Sequence, residues 1–377
     1  MPASPTLAPG RALAAGETPW WLAAPALHAT IERQGAALGA PAHYQVGDAI
    51  LQVATDEPAL LEPLGALYAD CAVAPPFAPG EPRVRCSVRR SSEPPLLALT
   101  FEAGAPREAA ASALSLLHPG WGATSYAITA SPLAGWQLVG TEEKRILATS
   151  DARVLIDSRL VPDSFVAEYL AGAALAAQPD LVVIHGATVG VGDAGLLLAG
   201  RSHVGKTTTA LHLAARGHTL LGDELAGIRL ATREIVPVRQ TMSLRPGPRA
   251  PALQAALGRL PTAPLVEAAA KTPLQIGQLF PSAPARPVKL RAAFFLQGFA
   301  ERPTLTAVQP TLDDLDRFAI VGNEIAHATW GRASARWALR LLGLRQTLSQ
   351  LSSWRLTVGA PDETAALIEQ TMEDLTC

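Results

Sequence analysis

Eight consecutive residues near the middle of the chain have types and a spacing that suit phosphate binding. Residues 200–207 read Gly-Arg-Ser-His-Val-Gly-Lys-Thr and fit the pattern G-x-x-x-x-G-K-[ST]. Glycines let the backbone curl so that successive N–H groups face inward, and a following helix adds the positive end of its dipole. In such a loop Lys206 would reach the outer phosphates, and Thr207 would hold magnesium through its hydroxyl. The sequence therefore predicts a nucleoside triphosphate site.

The residues on either side of this loop supply the strand and the helix that it requires. Gly195 to Ala199 form a continuous apolar run, which is typical of a buried parallel strand. Thr207 to Arg216 carry apolar residues at helical spacing, and Gly217 ends the pattern. This context favours a nucleotide loop over an ordinary strand-turn-helix. The loop and the first turn of the helix are predicted to bind the nucleotide, through Gly200, Arg201, Ser202, His203, Val204, Gly205, Lys206, Thr207 and Thr208.

Two further polar groups follow predicted strands close to the loop in sequence. His185 comes directly after the apolar run 181–184, and the pair Asp223-Glu224 follows the run 218–221 and Gly222. Open α/β sheets bind ligands at strand ends, so these groups are expected beside the loop. Phosphoryl transfer requires a phosphate cradle, a metal and a base, and the two acids can supply the last two. Alone, the histidine would more often be a core residue and the acids a helix cap.

Composition excludes several classes of function. The 377 residues carry a net charge of −2 without a block of like charges, so binding to nucleic acid is not expected. Cys71, Cys86 and Cys377 show no metal-ligand or disulfide pattern, and a reducing cytoplasm is the predicted location. No apolar run is long enough to span a membrane, and the amino terminus does not resemble a secretory signal.

The chain divides into three predicted parts. Residues 1–40 are expected to be peripheral and partly disordered, with Trp20 and Trp21 as an anchor. In residues 41–160, strand-like pieces, among them 44–53 and 96–101, alternate with helical pieces, which predicts a small α+β domain. Residues 161–377 begin with a helix and the strands around the loop, and they end in a helical extension.

Several elements are predicted in the last part beyond the loop. Apolar runs predict strands over 290–296 and 354–358, and helical patterns cover 311–352 and 362–372. The Pro-rich and Ala-rich stretch 246–287 is predicted to be irregular, with one helix near Pro251 to Gly258, and to act as a mobile lid.

Three segments together resemble the catalytic domain of HPr kinase/phosphorylase. They are His185-Gly-Ala-Thr, the run from Gly195 to Thr207, and Arg216-Gly-His-Thr-Leu-Leu-Gly-Asp-Glu. The chain is most similar to the stand-alone HPr-kinase-related proteins found beside peptide-modification genes. Those relatives share a Ser-Leu-Lys/Arg element, here 242–245, and a Pro-Val strand, here 287–290. The specific resemblance covers about residues 180 to 300.

The resemblance implies a fold and a set of ligands. Residues 161–377 would form an α/β P-loop catalytic domain of the HPr kinase type, preceded by the small α+β domain. ATP and Mg²⁺ would be the cofactors.

The resemblance also assigns roles to individual residues. Asp223 would be the base on the acceptor hydroxyl, and His185 would support Asp223 or the incoming phosphate. Glu224 would hold magnesium together with Thr207. Arg245 and Lys289 are further candidates for phosphate contact, but only through this resemblance. Lys206 and the loop would bind the triphosphate.

The chain also departs from the family pattern. His203 stands where the loop usually has glycine, Glu224 replaces an aspartate, and no Glu-Arg-Gly signature is visible in residues 234–245. These departures argue against HPr itself as the acceptor and against the reverse phosphorylase reaction.

The favoured function is an ATP- and magnesium-dependent kinase that phosphorylates a hydroxyl, with a serine of a peptide or small protein as the preferred acceptor. Two alternatives stay open. One is a kinase of a small-molecule hydroxyl in a biosynthetic pathway, and the other is a nucleotide-sensing regulator without catalysis. Neither nucleic acid nor a membrane is an expected partner, and assembly into a homo-oligomer is left open.

Overall fold

The structure is a computed structural model, and it describes a large part of the chain. The described residues are 38–91, 96–101, 127–130, 136–140, 145–149, 153–157, 170, 174, 178, 180–201, 203–223, 225–238, 242–244, 272–274, 276–280, 286–311 and 335–376. Contacts within the chain separate two compact units. The first holds the strands between residues 42 and 157, and the second holds the strands from residue 181 onward.

The first unit contains an eight-stranded sheet. Its strand order is β1-β2-β3-β4-β8-β7-β6-β5, and all neighbours are antiparallel except β2 and β3. Parallel neighbours need a crossover, and α1 (Leu61–Leu67) lies in the connection between β2 and β3, flanked by 3-10 turns at Pro58–Leu60 and Ala69–Cys71. The strands are β1 (Ala42–Val46), β2 (Ala49–Thr55), β3 (Arg83–Ser91), β4 (Leu96–Phe101), β5 (Ala127–Ala130), β6 (Trp136–Gly140), β7 (Arg145–Thr149) and β8 (Arg153–Asp157).

The run 44–53, predicted as one strand, is a hairpin. Gly47 has a φ of +63° and turns the chain between β1 and β2. The buried side chain of Gln178 fixes this turn, because its amide donates to the Val46 carbonyl (2.9 Å) and accepts from the Asp48 N–H (2.7 Å). This long-range contact could not be predicted from local sequence.

The second unit is built around a nine-stranded mixed sheet. Its main order is β12-β10-β11-β17-β14-β13-β9, with β19 also paired to β17 and β18 paired to β19. A separate pair is formed by β15 and β16. The strands are β9 (Leu181–Ile184), β10 (Gly186–Val191), β11 (Ala194–Gly200), β12 (Thr219–Gly222), β13 (Ala226–Arg229), β14 (Glu234–Val236), β15 (Met242–Leu244), β16 (Thr272–Leu274), β17 (Val288–Phe299), β18 (Thr304–Ala307) and β19 (Ser352–Val358).

The described helices of this unit cover the two faces of the sheet. They are α2 (Lys206–Ala215), α3 (Ile276–Leu279), α4 (Ala335–Ser349) and α5 (Pro361–Thr376). Leu196 and Leu198 of β11 belong to the core cluster that includes residues of α2 and α5, whereas Leu197 belongs to the cluster that includes α4. Successive strand residues point to opposite faces, so a strand covered on both sides must be apolar throughout. This explains the continuous run in β11.

Strand β10 was not predicted, and it changes the environment of β11. The two strands form an antiparallel hairpin through Gly192, whose φ is +59°, while β11 is parallel to β17 on its other side. A Cβ atom added at Gly186 would lie 2.9 Å from the Leu198 carbonyl oxygen, so only glycine fits there. The two glycines of β10 weaken the sequence pattern that would predict a strand. The strand is nevertheless buried in the structure.

The remaining predicted elements agree with the structure to different degrees. The strands predicted at 290–296 and 354–358 are β17 and β19, and the helix predicted at 362–372 is α5. The helix predicted over 311–352 is described only as α4, because residues 312–334 lie outside the described part. The helix near Pro251 to Gly258 also lies outside it, as does most of the predicted lid. Among the described residues, no helix has the length and apolar character needed to cross a membrane.

Candidate functional site

The loop between β11 and α2 is coiled by two residues in the left-handed region. Gly205 caps the helix with a φ of +100°, and His203 has a φ of +69°. A side chain at positive φ is uncommon, so His203 occupies a position that glycine would fill with less strain. The departure at His203 therefore puts a side chain where the backbone conformation favours glycine.

Close packing also restricts both glycines of the loop, and it does so more severely at Gly200 than at Gly205. A Cβ atom at Gly200 would lie 2.7 Å from the Leu296 carbonyl oxygen and 2.8 Å from the Val204 side chain. A Cβ atom at Gly205 would lie 3.3 Å from the ring of Phe299. The loop thus rests directly on the end of β17, which fixes its position on the sheet.

Lys206 is folded back over the loop. Its ammonium donates to the carbonyl oxygens of Gly200 and Arg201, each at 2.9 Å, and the residue is only 6% exposed. A buried charge is tolerated when polar partners surround it, and these carbonyls serve that purpose. The ammonium consequently lies at the mouth of the loop.

The first turn of α2 adds backbone donors at the same place. The amide of Thr209 is bonded to the carbonyl of Gly205 (2.9 Å), so the N–H groups of residues 206–208 precede the first intrahelical bond. Gly205 has no side chain that could cap them. These N–H groups and the helix dipole suit an anion at this end of the helix.

Thr207 and Asp223 are in direct contact. The Thr207 hydroxyl lies 2.9 Å and 3.1 Å from the two carboxylate oxygens of Asp223, which is 5% exposed. Asp223 directly follows β12, as its predicted place at a strand end requires. The contact brings together a hydroxyl and a carboxylate, the oxygen ligands that Mg²⁺ accepts in proteins.

His185 lies at a bend between β9 and β10 and is 5% exposed. Gly186 pairs with Ala199, so His185 and Gly200 lie at the same end of the β10–β11 pair. Gly222 pairs with Thr188, which places the end of β12 on the other side of β10. His185, which was predicted at the end of a strand, therefore lies in a bend. His185, Asp223 and the loop lie at one edge of the sheet.

Two residues at this edge were not predicted. Thr188 is buried, and among the described residues its hydroxyl has no hydrogen-bond partner. Phe299 ends β17 beside Gly205, and 52% of the residue is exposed. Thr188 belongs to the quoted segment His185-Gly-Ala-Thr, but a single threonine in a strand carries no local signal of a site. Phe299 has none either, because its nearness to the loop depends on strand pairing.

The far end of α2 is fixed by α5. Arg216 donates two hydrogen bonds to Glu369 (2.8 Å and 2.6 Å), and His218 Nε2 lies 2.8 Å from the same carboxylate. The hydrogen bonds from Arg216, followed by the one from His218, hold the pKa of Glu369 below its ordinary value despite its partial burial. This cluster, which was not predicted from the sequence, holds the helix that carries Lys206 and Thr207.

The remaining predicted site residues are three that lie outside the described part of the chain and Lys289, which lies away from the loop. Ser202, Glu224 and Arg245 lie outside the described residues, so their roles stay predictions. Lys289 pairs in register with Ala194, at the opposite end of β11 from the loop, and it contacts Glu234 at 3.1 Å. Its suggested phosphate contact is therefore wrong, because the strand direction carries it away from the loop.

Comparison with known proteins relates this region to one family. Residues 176–244 match the family model described as HPr Serine kinase C-terminal domain. An HPr kinase/phosphorylase of Bacillus pumilus (strain SAFR-032) is 52% identical over 46 residues, which are 12% of this chain and 15% of the relative. An HPr kinase/phosphorylase of Caldanaerobacter subterraneus subsp. tengcongensis is 36% identical over 87 residues, which are 23% of this chain and 25% of the relative.

The matches thus span a quarter or less of the length of these relatives. A solved structure, the Hpr(Ser) kinase/phosphatase from Coxiella burnetii, aligns with 51% of this chain and 95% of that chain, at 11% identity and a TM-score of 0.26. The family model and the sequence relatives confirm the predicted relationship to the HPr kinase family, and the family model matches the segment around the loop.

Proposed function

We propose that this protein is an ATP- and magnesium-dependent phosphotransferase of the HPr kinase type. The observation that carries the proposal is the contact of Thr207 with Asp223, beside the buried ammonium of Lys206. It joins a metal-binding hydroxyl, a carboxylate and a cation at one edge of one sheet. The relationship of residues 176–244 to the HPr Serine kinase C-terminal domain supports the same chemistry.

The loop and the start of α2 would bind the triphosphate. Lys206 can exchange its two carbonyl partners for phosphate oxygens, because both are neutral acceptors at the mouth of the loop. The N–H groups of residues 206–208 would donate to the remaining oxygens. The full set proposed to contact the nucleotide is Gly200, Arg201, Ser202, His203, Val204, Gly205, Lys206, Thr207 and Thr208, with Arg245 as a further candidate.

The residues at the edge also fit magnesium. Mg²⁺ is usually held by one or two side-chain oxygens together with substrate phosphates, and the Thr207 hydroxyl, which lies 2.9 Å from the Asp223 carboxylate, offers one such oxygen. Glu224, the next residue, is the further proposed ligand. When bound, the ion would supply positive charge that offsets the negative charge developing on the phosphates during transfer.

Asp223 would also serve the acceptor hydroxyl. The hydroxyl oxygen would form a bond to the γ-phosphorus while the bond from that phosphorus to the bridging oxygen of ADP breaks. The hydroxyl proton would pass to an Asp223 carboxylate oxygen, which the low exposure of that residue keeps away from bulk water. His185 would support Asp223 or the incoming phosphate, and Lys206 would stabilise the departing charge.

The proposed acceptor is a serine of a peptide or small protein, on the strength of the likeness to stand-alone relatives. Residues 161–377 would form the catalytic domain, residues 41–160 a separate small domain, and residues 1–40 a peripheral segment. We propose no role for a homo-oligomer in the reaction.

The test is phosphate transfer from labelled ATP to candidate peptides, small proteins and small-molecule alcohols, measured by the intact mass of each acceptor. The wild-type protein should add 80 Da, the mass of one phosphoryl group, to a serine-containing acceptor. Addition to a small alcohol only would support the alternative kinase. Failure of every acceptor, together with tight nucleotide binding, would support the sensor.

Asp223→Asn separates catalysis from binding. It should lower transfer by about 100- to 10,000-fold, because it removes the base, while ATP affinity measured by calorimetry changes little. Asp193→Asn is the matched control, since Asp193 lies in the exposed β10–β11 turn at the other end of these strands. If Asp223→Asn transfers phosphate as fast as this control, Asp223 is not the base.

A further inference from the structure

Phe299 lies on the opposite flank of the loop from the acidic group. In the sheet order β12-β10-β11-β17, Asp223 and His185 adjoin β12 and β10, whereas Phe299 ends β17. The loop leaves β11 between them. Any ligand held across the loop therefore has one end near Asp223 and can have its other end near Phe299.

A break in the strand pairing accompanies the position of Phe299. The register between β17 and β19 shifts between Leu296 and Gly298, so the bulge lies directly before Phe299. Bulges bend a strand and redirect the side chains that follow, and they are frequent beside binding sites. Gly298 has a φ of +148°, which glycine adopts without a steric penalty.

The ring of Phe299 is presented both to the loop and to solvent. Its edge lies 3.3 Å from the position of a Cβ atom at Gly205, yet 52% of the residue is exposed. Among the described residues the exposed large hydrophobic side chains are Leu38, Phe299, Leu342 and Leu375, of which Phe299 alone is aromatic. A single exposed hydrophobic residue is ordinary, but an aromatic one against a phosphate-binding loop can take part in ligand binding.

The direction of the nucleotide follows from the proposed function, on which this inference rests. The γ-phosphate must face Asp223, because the phosphoryl group is transferred there. The α-phosphate and the nucleoside then extend away from β12, toward the flank formed by β17. We infer that the base of the bound nucleotide stacks on the ring of Phe299.

This mode of binding makes a prediction about specificity. Stacking uses the π-face that every base possesses, and it does not read the hydrogen-bonding groups that distinguish adenine from guanine. Phe299 should therefore contribute affinity for ATP and GTP alike. Inorganic tripolyphosphate has no base and should be bound by the loop without help from Phe299.

The experiment compares wild type, Phe299→Ala, Phe299→Leu and Phe299→Trp for binding of Mg-ATP, Mg-GTP and Mg-tripolyphosphate by calorimetry. Phe299→Ala should weaken ATP and GTP by about 5- to 150-fold, the usual range for loss of one base stack, and change tripolyphosphate by less than about twofold. Phe299→Trp should retain nucleotide affinity. Phe299→Leu keeps apolar bulk against Gly205 but has no aromatic face for a base to stack on. Its loss of nucleotide affinity should therefore approach that of the alanine variant.

Two results would overturn the inference alone. An equal loss for nucleotides and tripolyphosphate would mean that Phe299 only supports the loop, and no loss for any ligand would mean that the base lies elsewhere. Failure of the proposed function looks different. Wild-type protein would then bind none of the three ligands, or Lys206→Ala would bind them all as well as wild type does, and the inference would fall with it.

Discussion

The two ends of the β10–β11 hairpin differ in how far the polar and charged side chains near them are exposed. At the loop end, Asp223, His185 and Lys206 are at most 6% exposed, whereas at the turn end the side chains of Asp193 and Lys289 are 101% and 52% exposed. Buried charge costs free energy unless partners surround it, and exposed ion pairs contribute little. The exposed charges at the turn end are those expected on the surface of any folded protein. The loop end concentrates buried polar and ionisable groups, and such groups are frequent at functional sites.

Among the substitutions that test this difference between the two ends, Lys206→Ala should have the largest effect. Removing the buried ammonium should weaken Mg-ATP binding by about 100-fold, because a cation at the mouth of the loop contacts the phosphates directly. Titration calorimetry with Mg-ATP measures it. Lys289→Ala at the turn end is the matched control and should bind like wild type. Similar losses in the two variants would refute the difference between the ends.

Gly186→Ala tests whether the loop end depends on close backbone packing. A Cβ atom there would lie 2.9 Å from the Leu198 carbonyl oxygen, so the strands must separate, and we expect a loss of about 1–3 kcal/mol in the free energy of unfolding. Gly190→Ala in the same strand is the control, because its nearest contact would be an ordinary 3.6 Å. Urea denaturation compares the two. Equal stability of these variants would show that the pairing at Gly186 is looser than the structure indicates.

Glu369→Gln should produce the smallest effect, about 1 kcal/mol of stability at neutral pH. Glu369 accepts hydrogen bonds from Arg216 and His218, but Arg216 is 38% exposed and solvent screens the pair. The pKa of Glu369 is lowered in the folded protein, so its contribution is complete above the unfolded value, near 4.5, and is lost as pH falls through the folded value.

Denaturation of wild type and Glu369→Gln at several pH values measures this dependence. The difference between the two proteins should shrink as the pH falls below about 4.5. Asp374→Asn, on an exposed part of the same helix, should leave the profile unchanged. A difference that does not shrink below about pH 4.5 would contradict the lowered pKa of Glu369.

The elements that were predicted well are those whose signal is contiguous. Strand β4 has the predicted bounds, and β11, the loop and α2 follow one another as the pattern requires. Strand β10 was missed because its glycines weaken the pattern, and its pairing partners stabilise it from a distance. The wrong prediction of a phosphate contact for Lys289 has the same origin, because the direction of β17 relative to β11 cannot be predicted from the local sequence of either strand.

The sequence alone determined that a Gly-rich loop precedes a helix with lysine and threonine at its first two positions, because that arrangement depends on neighbours in the chain. Only the tertiary structure decided that Asp223 meets Thr207, that Phe299 lies against Gly205 and that Glu369 holds the far end of α2. The two hydrogen-bonded contacts join residues that are 16 and 153 positions apart in the sequence. Strand order, register and helix packing set such distances, and local patterns do not specify them.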